Sequence, residues 1–168
     1  MQKFIGVGLL IAASVILTGC APARASVGTD TGASRTPTAQ PGTVQCVDGE
    51  ADYTTSNTRN TLAGVCKKVV ISGHNISLTA ADVKDLTVSG DTNAVDVAVL
   101  GGATVVGNTN TLKTTTVGPL TVSGNGNTVT ALGPIGDVVV TGANDTITTP
   151  VGVGSITQSG IGNKIGAP

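Results

Sequence analysis

Two aspartates of the chain, Asp85 and Asp137, stand at the same position relative to a recurring glycine, five residues before Gly90 and Gly142. Paired carboxylates cleave glycosidic bonds when they lie about 5 Å apart in retaining enzymes, or less than about 10 Å apart in inverting ones. The repeat described below separates the two aspartates by three coils, which is about 14 Å at the spacing of stacked strands. The pair is therefore too far apart for a glycosidase site.

A second group of residues has the types needed for nucleophilic catalysis. His74 and Asp91 occupy the same repeat position in adjacent coils, and Ser72 and Ser89 lie nearby. A serine nucleophile requires hydrogen bonds from serine to histidine and from histidine to aspartate. A surface histidine bonded to a neighbouring turn is the simpler interpretation, because the repeat leaves no long loop that could form a cleft. We expect no enzyme activity and no cofactor.

The turns of the repeat do not have the composition of a calcium site. Calcium-binding β-rolls repeat a Gly-Gly-x-Gly-x-Asp pattern, whereas the turns here carry mostly Asn and Thr. Neutral amides are poor substitutes for carboxylates around a hard cation. The sequence therefore predicts no metal site.

Hydroxyl side chains recur at outward positions of the repeat and form the candidate binding face. Hydroxyls spaced about 4.8 Å apart can match an extended polysaccharide or an ice surface. The scarcity of aromatic residues weakens the case for a sugar platform, and threonine is in any case common on the surface of a sheet. The candidate face consists of Thr87, Ser89, Thr104, Thr121, Ser123 and Thr157.

These residues are positioned by an internal repeat. Glycines recur 17, 17, 17, 18 and 18 residues apart, at Gly73, Gly90, Gly107, Gly124, Gly142 and Gly160. Asn57 is expected at the same position in a first, shorter coil. An asparagine or aspartate follows most of these positions three residues later, at Asn60, Asn93, Asn110, Asn127, Asp145 and Asn163. A fixed period of this length indicates a solenoid, in which each repeat is one stacked coil.

The residues around each glycine indicate that the coils are made of strands. Four positions are almost purely apolar, and the one two residues before the glycine contains Val88, Val105 and Val122. Between two apolar positions lies a column rich in threonine, which is the alternation of a strand with one buried face. The sequence therefore predicts an all-β fold, a short parallel β-solenoid of about seven coils of 16–18 residues, with an asparagine ladder along its edge.

Composition agrees with a narrow core and excludes one class of partner. Aromatic residues make up 1% of the chain, so Val, Leu, Ile and Ala must fill the interior. Charged residues make up 11%, and the net charge is −1. A nucleic-acid-binding protein needs a basic face and stacking aromatic side chains, so no nucleic acid is expected as a partner.

The N-terminal segment resembles the export signal of a bacterial lipoprotein. A short positive region, MQK, precedes the apolar run FIGVGLLIAASVIL, and LTGC follows, ending at Cys20. This resemblance to a lipobox implies a signal peptide over 1–19, cleavage before Cys20, and acyl chains on Cys20 that hold the protein on the extracytoplasmic side of the cell membrane. An ordinary secretory signal with a chance cysteine is the alternative. Residues 20–43, rich in Ala, Ser, Thr, Gly and Pro, then form a flexible tether.

The two cysteines that remain, Cys46 and Cys66, are expected to form a disulfide. An even number of cysteines in an exported domain is typical of a disulfide. The bond would fix the N-terminal end of the solenoid, where no earlier coil covers Cys66. Two free thiols or a metal site are the alternatives, and the sequence supplies no matching ligands for a metal.

The repeat domain, residues 44–168, resembles a known family. The paired cysteines, the segment AGVCKKVVISGHN and the rungs LTVSG-x-x-N-x-V are similar to the domain of unknown function 3060 family, which occurs in exported actinobacterial and especially mycobacterial proteins. The resemblance implies a setting in the cell envelope and no established activity.

Two functions remain as hypotheses. The first is a membrane-anchored envelope lipoprotein with a non-catalytic, structural or interaction role. The second is a module that binds a polysaccharide or another extended ligand, or an envelope protein, through the hydroxyl side chains. We expect a monomer, although the last coil lacks an obvious cap and its edge can pair end to end with another chain. Lys164 and Pro168 are the features that would block such pairing.

Overall fold

The computed structural model describes residues 42–46 and 49–167, and every regular element in these ranges is a β-strand. Twelve strands follow one another along the chain. They are β1 (Gly42–Gln45), β2 (Glu50–Tyr53), β3 (Arg59–Ile71), β4 (Ser77–Val88), β5 (Ala94–Asn108), β6 (Thr111–Val117), β7 (Leu120–Asn125), β8 (Thr128–Ala131), β9 (Val138–Ala143), β10 (Thr146–Thr148), β11 (Ile156–Ser159) and β12 (Lys164–Gly166).

Parallel pairing between successive coils builds three ladders, which we call sides A, B and C. Side A contains β2, the C-terminal parts of β3, β4 and β5, and then β7, β9 and β11. Side B contains β1, the N-terminal parts of β3 to β6, and then β8, β10 and β12. Side C is short and ends in single bridges at Ile135 and Val153. The fold is thus an all-β parallel solenoid of about seven turns, as the repeat predicts.

The core is a stack of the apolar positions of the repeat. Valine, leucine and isoleucine from all three sides are buried against the equivalent residues of the coils above and below. On side A, Val138 is 1% exposed, whereas Ile156 at the same position of the last coil is 48% exposed. The difference arises because each coil is covered by the next one, and the described chain supplies none beyond β11 and β12.

The recurring glycine is required by the close approach of neighbouring coils. A Cβ atom at Gly90, Gly107, Gly124, Gly142 or Gly160 would overlap the carbonyl oxygen of the preceding glycine in the column. The left-handed turn lies two residues further on, for example at Thr92, Thr109 and Asn144, whose φ angles are 60°, 58° and 59°. In the first coil the register aligns Asn57 with Asn75, both left-handed, so Asn57 does not belong to the glycine column.

The asparagine three residues after the glycine is buried inside the turn, not on an outer edge. The Oδ1 atom of Asn110 accepts a hydrogen bond from the backbone N–H of Asn93 at 2.9 Å, and its Nδ2 atom donates to the carbonyl of Gly90 at 2.8 Å. Asn93, Asn127 and Asn163 repeat both bonds to the coil before them. The amide ladder therefore ties each coil to its predecessor from within.

Two members of the predicted asparagine column differ from the rest. Asn60 does not join the ladder, because the register places it opposite Leu78, where its Nδ2 donates to Thr58. Asp145 does join it, since its Oδ1 accepts from the backbone N–H of Asn127 at 2.8 Å. Its Oδ2 atom, however, is buried and has no hydrogen-bond partner among the described residues.

A disulfide between Cys46 and Cys66 fixes the first coil, as expected from the sequence. The Cα atoms of Cys46 and Cys66 are 5.8 Å apart, within the usual range for a disulfide. Cys66 belongs to the inward column of side C, pairs with Val83 and is fully buried. The bond joins the end of β1 to the middle of β3 and so closes the N-terminal end of the stack.

Candidate binding face

The candidate hydroxyl residues lie on the outer surface of side A, and we call this surface the hydroxyl face. Thr87, Thr104 and Thr121 stand in register on three consecutive coils, one above the other. All three are half-buried, because each is flanked by its neighbours in the ladder. Their hydroxyls therefore repeat at the spacing of adjacent parallel strands, about 4.8 Å.

The hydroxyl face is interrupted at several points. Val106 lies between Ser89 and Ser123 in the second outward column, and Val139 lies between Thr121 and Thr157 in the first. Thr157 is therefore separated from the other threonines by one coil. The structure brings together three of the predicted threonines and leaves the fourth apart.

Side chains of the second outward column already bond to each other or to the backbone. The hydroxyls of Ser123 and Thr141 are 2.8 Å apart and share a hydrogen bond. The hydroxyl of Ser89 donates to the carbonyl of Ile71 at 3.2 Å. These contacts fix the orientation of the hydroxyls, and each oxygen keeps a lone pair for a further donor.

A shallow depression crosses the middle of the hydroxyl face. Its lining includes Asp85, Gly102, Thr104, Pro119 and Thr121. Threonine hydroxyls and one carboxylate provide both donors and acceptors there. The depression can therefore hold the polar edge of an extended ligand that runs across the coils.

The two aspartates of the glycosidase hypothesis lie on side A, three coils apart. The register runs from Asp85 through Gly102 and Pro119 to Asp137, as the repeat predicts. Asp137 accepts hydrogen bonds from the hydroxyl of Ser155 at 2.7 Å and from its backbone N–H at 2.9 Å. These bonds, the one from the hydroxyl first, hold the pKa of Asp137 below its ordinary value. Asp137 is thus a partner of the adjacent coil and does not face Asp85.

His74 and Asp91 lie on adjacent coils, but they are bonded to other residues. The backbone N–H of His74 donates to the hydroxyl of Ser56 at 3.0 Å. The carboxylate of Asp91 accepts from the backbone and the side chain of Asn108, at 2.6 and 3.1 Å. In the described part of the chain, no hydrogen bond joins the imidazole to the carboxylate. The arrangement is a stack of turns and not a Ser/His/Asp triad.

A second array of hydroxyls, on side B, was not predicted from the sequence. Thr128 and Thr146 stand in register on consecutive coils, and Thr130 and Thr148 stand in register two positions along the same strands. Thr111 continues the first row by one coil. The signal was present in the segments TVT and TIT, which recur 18 residues apart. Side B therefore carries a threonine grid that matches the hydroxyl face in composition.

Comparisons of the chain with models of protein families, with curated proteins and with solved structures found no match. Over residues 42–46 and 49–167, no group of His, Cys, Asp or Glu side chains is arranged to hold a metal ion. In the same ranges no helix is long and apolar enough to cross a membrane. The predicted signal peptide over 1–19, the predicted lipidation site Cys20, most of the predicted tether and Pro168 lie outside the described residues.

Proposed function

We propose that this chain is a cell-envelope lipoprotein, anchored to the outer surface of the cell membrane through acylated Cys20, and that its solenoid has a non-catalytic structural or interaction role. The proposal rests on the LTGC segment ending at Cys20, on the disulfide of the first coil, and on the regular surface of the solenoid. The resemblance of the rungs to the domain of unknown function 3060 family supports the same setting.

The disulfide is the observation that carries the proposal. Disulfides persist in oxidising compartments and are rare in the cytosol, where thiols are kept reduced. The bond between Cys46 and Cys66 therefore agrees with export across the membrane. Export and a cysteine directly after an apolar segment together favour a lipid anchor over a soluble secreted form.

The solenoid suits a role as a rigid spacer or a recognition surface. Each coil is joined to the next by backbone ladders on sides A and B and by the buried amides, for example Asn110 and Asn127. Seven coils at about 4.8 Å give a rod about 30 Å long. The sequence predicts a flexible tether before the solenoid, and a flexible chain of about 20 residues has a typical reach of about 25 Å. The rod can thus present its surface well clear of the lipid headgroups.

The anchor is tested by partitioning the protein between detergent and aqueous phases. The wild-type chain, expressed in a bacterium that processes lipoproteins, is expected in the detergent phase. The Cys20→Ser variant is expected in the aqueous phase, while Cys46→Ser is the matched control that removes a cysteine without removing the anchor. Equal partitioning of the wild type and Cys20→Ser would refute the anchor.

A second function, the binding of a polysaccharide or another extended ligand, is favoured by the register of Thr87, Thr104 and Thr121. A triple Thr→Val change at these positions keeps the shape and removes the hydroxyls. We expect this variant to lose cosedimentation with envelope polysaccharide that the parent shows. The matched control replaces Thr128, Thr130 and Thr146 on side B by valine. Equal cosedimentation of parent, variant and control would contradict binding by the hydroxyl face.

A further inference from the structure

Within residues 42–46 and 49–167, the last coil of the solenoid has three strand edges without a partner strand, which together we call the open end. β11 forms its edge on side A, β12 on side B, and Val153 on side C. The inward residue Ile156 is 48% exposed in this coil, while Val151 (64%) and Ile161 (76%) are exposed in its turns. Ile156 therefore adds an apolar side chain to the unpaired backbone of the open end, and the turns beside it are apolar as well.

Backbone donors of the open end point away from the rod. In the coil before it, the N–H groups of Ile135, Val138 and Asn144 donate to carbonyls of the last coil at 3.1, 2.8 and 2.9 Å. The equivalent residues of the last coil lie 18 positions later, at Val153, Ile156 and Gly162. Their N–H groups point beyond the last coil, where the described residues provide no acceptor.

The buried amide ladder stops at the same place. The backbone N–H of Asp145 is satisfied by the Oδ1 atom of Asn163, at 2.9 Å. Asn163 itself has no following coil to supply such an oxygen among the described residues. A free strand edge of this kind is a template for pairing with another chain.

The charge of the open end limits what can cover it. Lys164 is the one charged residue between positions 146 and 167. A nearly uncharged apolar surface does not attract a charged ligand, and it does not strongly repel a copy of itself. This composition favours a partner whose surface is equally apolar.

The outline of the open end favours a second copy over an extended peptide. A single peptide strand can pair with the edge of one side only, whereas the free edges lie on three sides. Another solenoid end of the same outline covers all of them at once. We propose that two copies of this chain dock open end to open end, related by a two-fold axis, and so continue the sheet antiparallel across the contact.

The proposed two-fold axis is placed on side A, at Thr157 within β11. Residues directly opposite each other in an antiparallel pair point to the same face of the sheet. An axis through Thr157 keeps Thr157 outward in both copies and keeps Ile156 and Gln158 inward, against the apolar end of the partner. Shifting the pairing by one residue would turn inward side chains outward, so a shared core allows this register and those that differ from it by two residues.

Cross-linking of the full chain at the axis tests the proposal. In the Thr157→Cys variant the introduced cysteines of two docked copies lie within reach of a short bismaleimide, because opposite side chains have Cβ atoms about 5 Å apart. Thr104→Cys, at the same outward column in the middle of the rod, is the matched control. We expect a covalent dimer from Thr157→Cys, at least tenfold more abundant than from Thr104→Cys.

A blocking variant keeps the test independent of folding. The side chain of Gln158 points inward, but its backbone N–H points along the rod, beyond the last coil. Gln158→Pro therefore removes a donor of the open end without breaking a hydrogen bond within the rod. We expect this variant to keep the melting temperature of the parent and to lose the dimer in sedimentation. Two results would overturn the proposal. One is a parent protein that sediments as a monomer at about 100 μM. The other is a Thr157→Cys variant that cross-links no more than Thr104→Cys does, or that cross-links to a different polypeptide.

Discussion

Asp145 accepts a hydrogen bond from the backbone N–H of Asn127 in a column where the neighbouring coils use an asparagine for the same purpose. Asp145 is 1% exposed. Its Oδ2 atom occupies the place from which Asn110 and Asn163 donate to a glycine carbonyl, and the described part of the chain gives it no hydrogen-bond partner. The carboxyl group thus completes half of the ladder bonds and leaves the other half unmade.

The Asp145→Asn substitution is therefore expected to stabilise the fold. The new Nδ2 donor can bond to the carbonyl of the preceding coil, as in Asn127. Replacing a buried, unsatisfied oxygen by a bonded donor is worth about 1–3 kcal/mol. Urea unfolding followed by circular dichroism measures the change.

The reverse substitution is the matched control for this prediction. Asn127→Asp creates a second unsatisfied oxygen at the equivalent position and is expected to destabilise by a similar amount, about 1–3 kcal/mol. An unchanged or lower midpoint for Asp145→Asn would show that the unpaired oxygen is not a source of instability.

Loss of the disulfide is expected to destabilise the first coil. The bond closes a loop between positions 46 and 66, a separation of 20 residues. Cross-linking a loop of this length is worth about 3 kcal/mol in the chain-entropy description. Urea unfolding of the parent with and without a reductant measures the effect. Cys46→Ser serves as the control, because the reductant should leave its midpoint unchanged; a parent midpoint that also stays unchanged would contradict the prediction.

The glycine column predicts that substitutions at two nearby glycines change the stability of the fold by very different amounts. At Gly124, where φ is 135°, a Cβ would overlap the carbonyl of Gly107. Gly126, with φ at 66°, has open space around it, and Asn144 adopts the same conformation one coil later. Gly124→Ala is expected to destabilise by more than about 2 kcal/mol, since both strain and a backbone contact oppose it.

Gly126→Asn is the control for the glycine column. An exposed asparagine at this φ is expected to change stability by no more than about 0.5 kcal/mol. Thermal unfolding of both variants compares the two positions. Equal melting temperatures would show that the coils can separate enough to admit a side chain at Gly124.

Tyr53 gives a spectroscopic probe of the first coil. It is the single tyrosine, the chain has no tryptophan, and its side chain is 1% exposed. Burial raises the pKa of Tyr53 from its ordinary value of 10.0 to about 12. The absorbance change of tyrosinate in the native protein is therefore expected near pH 12, and in urea near pH 10.

The sign of the linked stability change follows from the direction of the shift. The folded state retains the phenolic proton over a pH range in which the unfolded state has lost it. Tyr53 therefore leaves stability unchanged below pH 10 and lowers it as the pH rises from 10 toward 12. A native titration near pH 10 would show that Tyr53 is accessible to solvent.

The fold could be predicted from the sequence because its signal is repeated. Inward positions such as Val88, Val105 and Val122 recur at a constant distance from the glycine, and every added coil strengthens the inference. The first coil was harder to align, because Asn57 and Asn60 resemble the repeat while the register places them elsewhere. A single coil offers too few positions to separate two such alignments.

The reason why glycine and asparagine recur could not be predicted from the sequence. The sequence shows that glycine and asparagine recur, but not that Gly124 lies against Gly107 or that Asn110 is buried. Both facts depend on the distance between neighbouring coils, which no local propensity encodes. The turn conformation at Thr92 and Thr109 was also hidden, since threonine is rarely left-handed.

The candidate site was predictable only in part. Alternation placed Thr87, Thr104 and Thr121 outward, and the structure puts them in register. The grid around Thr128 and Thr146 was not predicted, because threonine holds these positions in only two or three coils, whereas Ala94 and Lys113 hold them in others.

The mass of the N-terminal peptide of the mature protein tests the proposed function most directly. The protein would be purified from the membrane of a bacterium that processes lipoproteins, digested, and analysed by mass spectrometry. We predict a first residue Cys20 that carries a diacylglyceryl group. A mature chain that begins at another residue, or that carries an unmodified Cys20, would contradict the account.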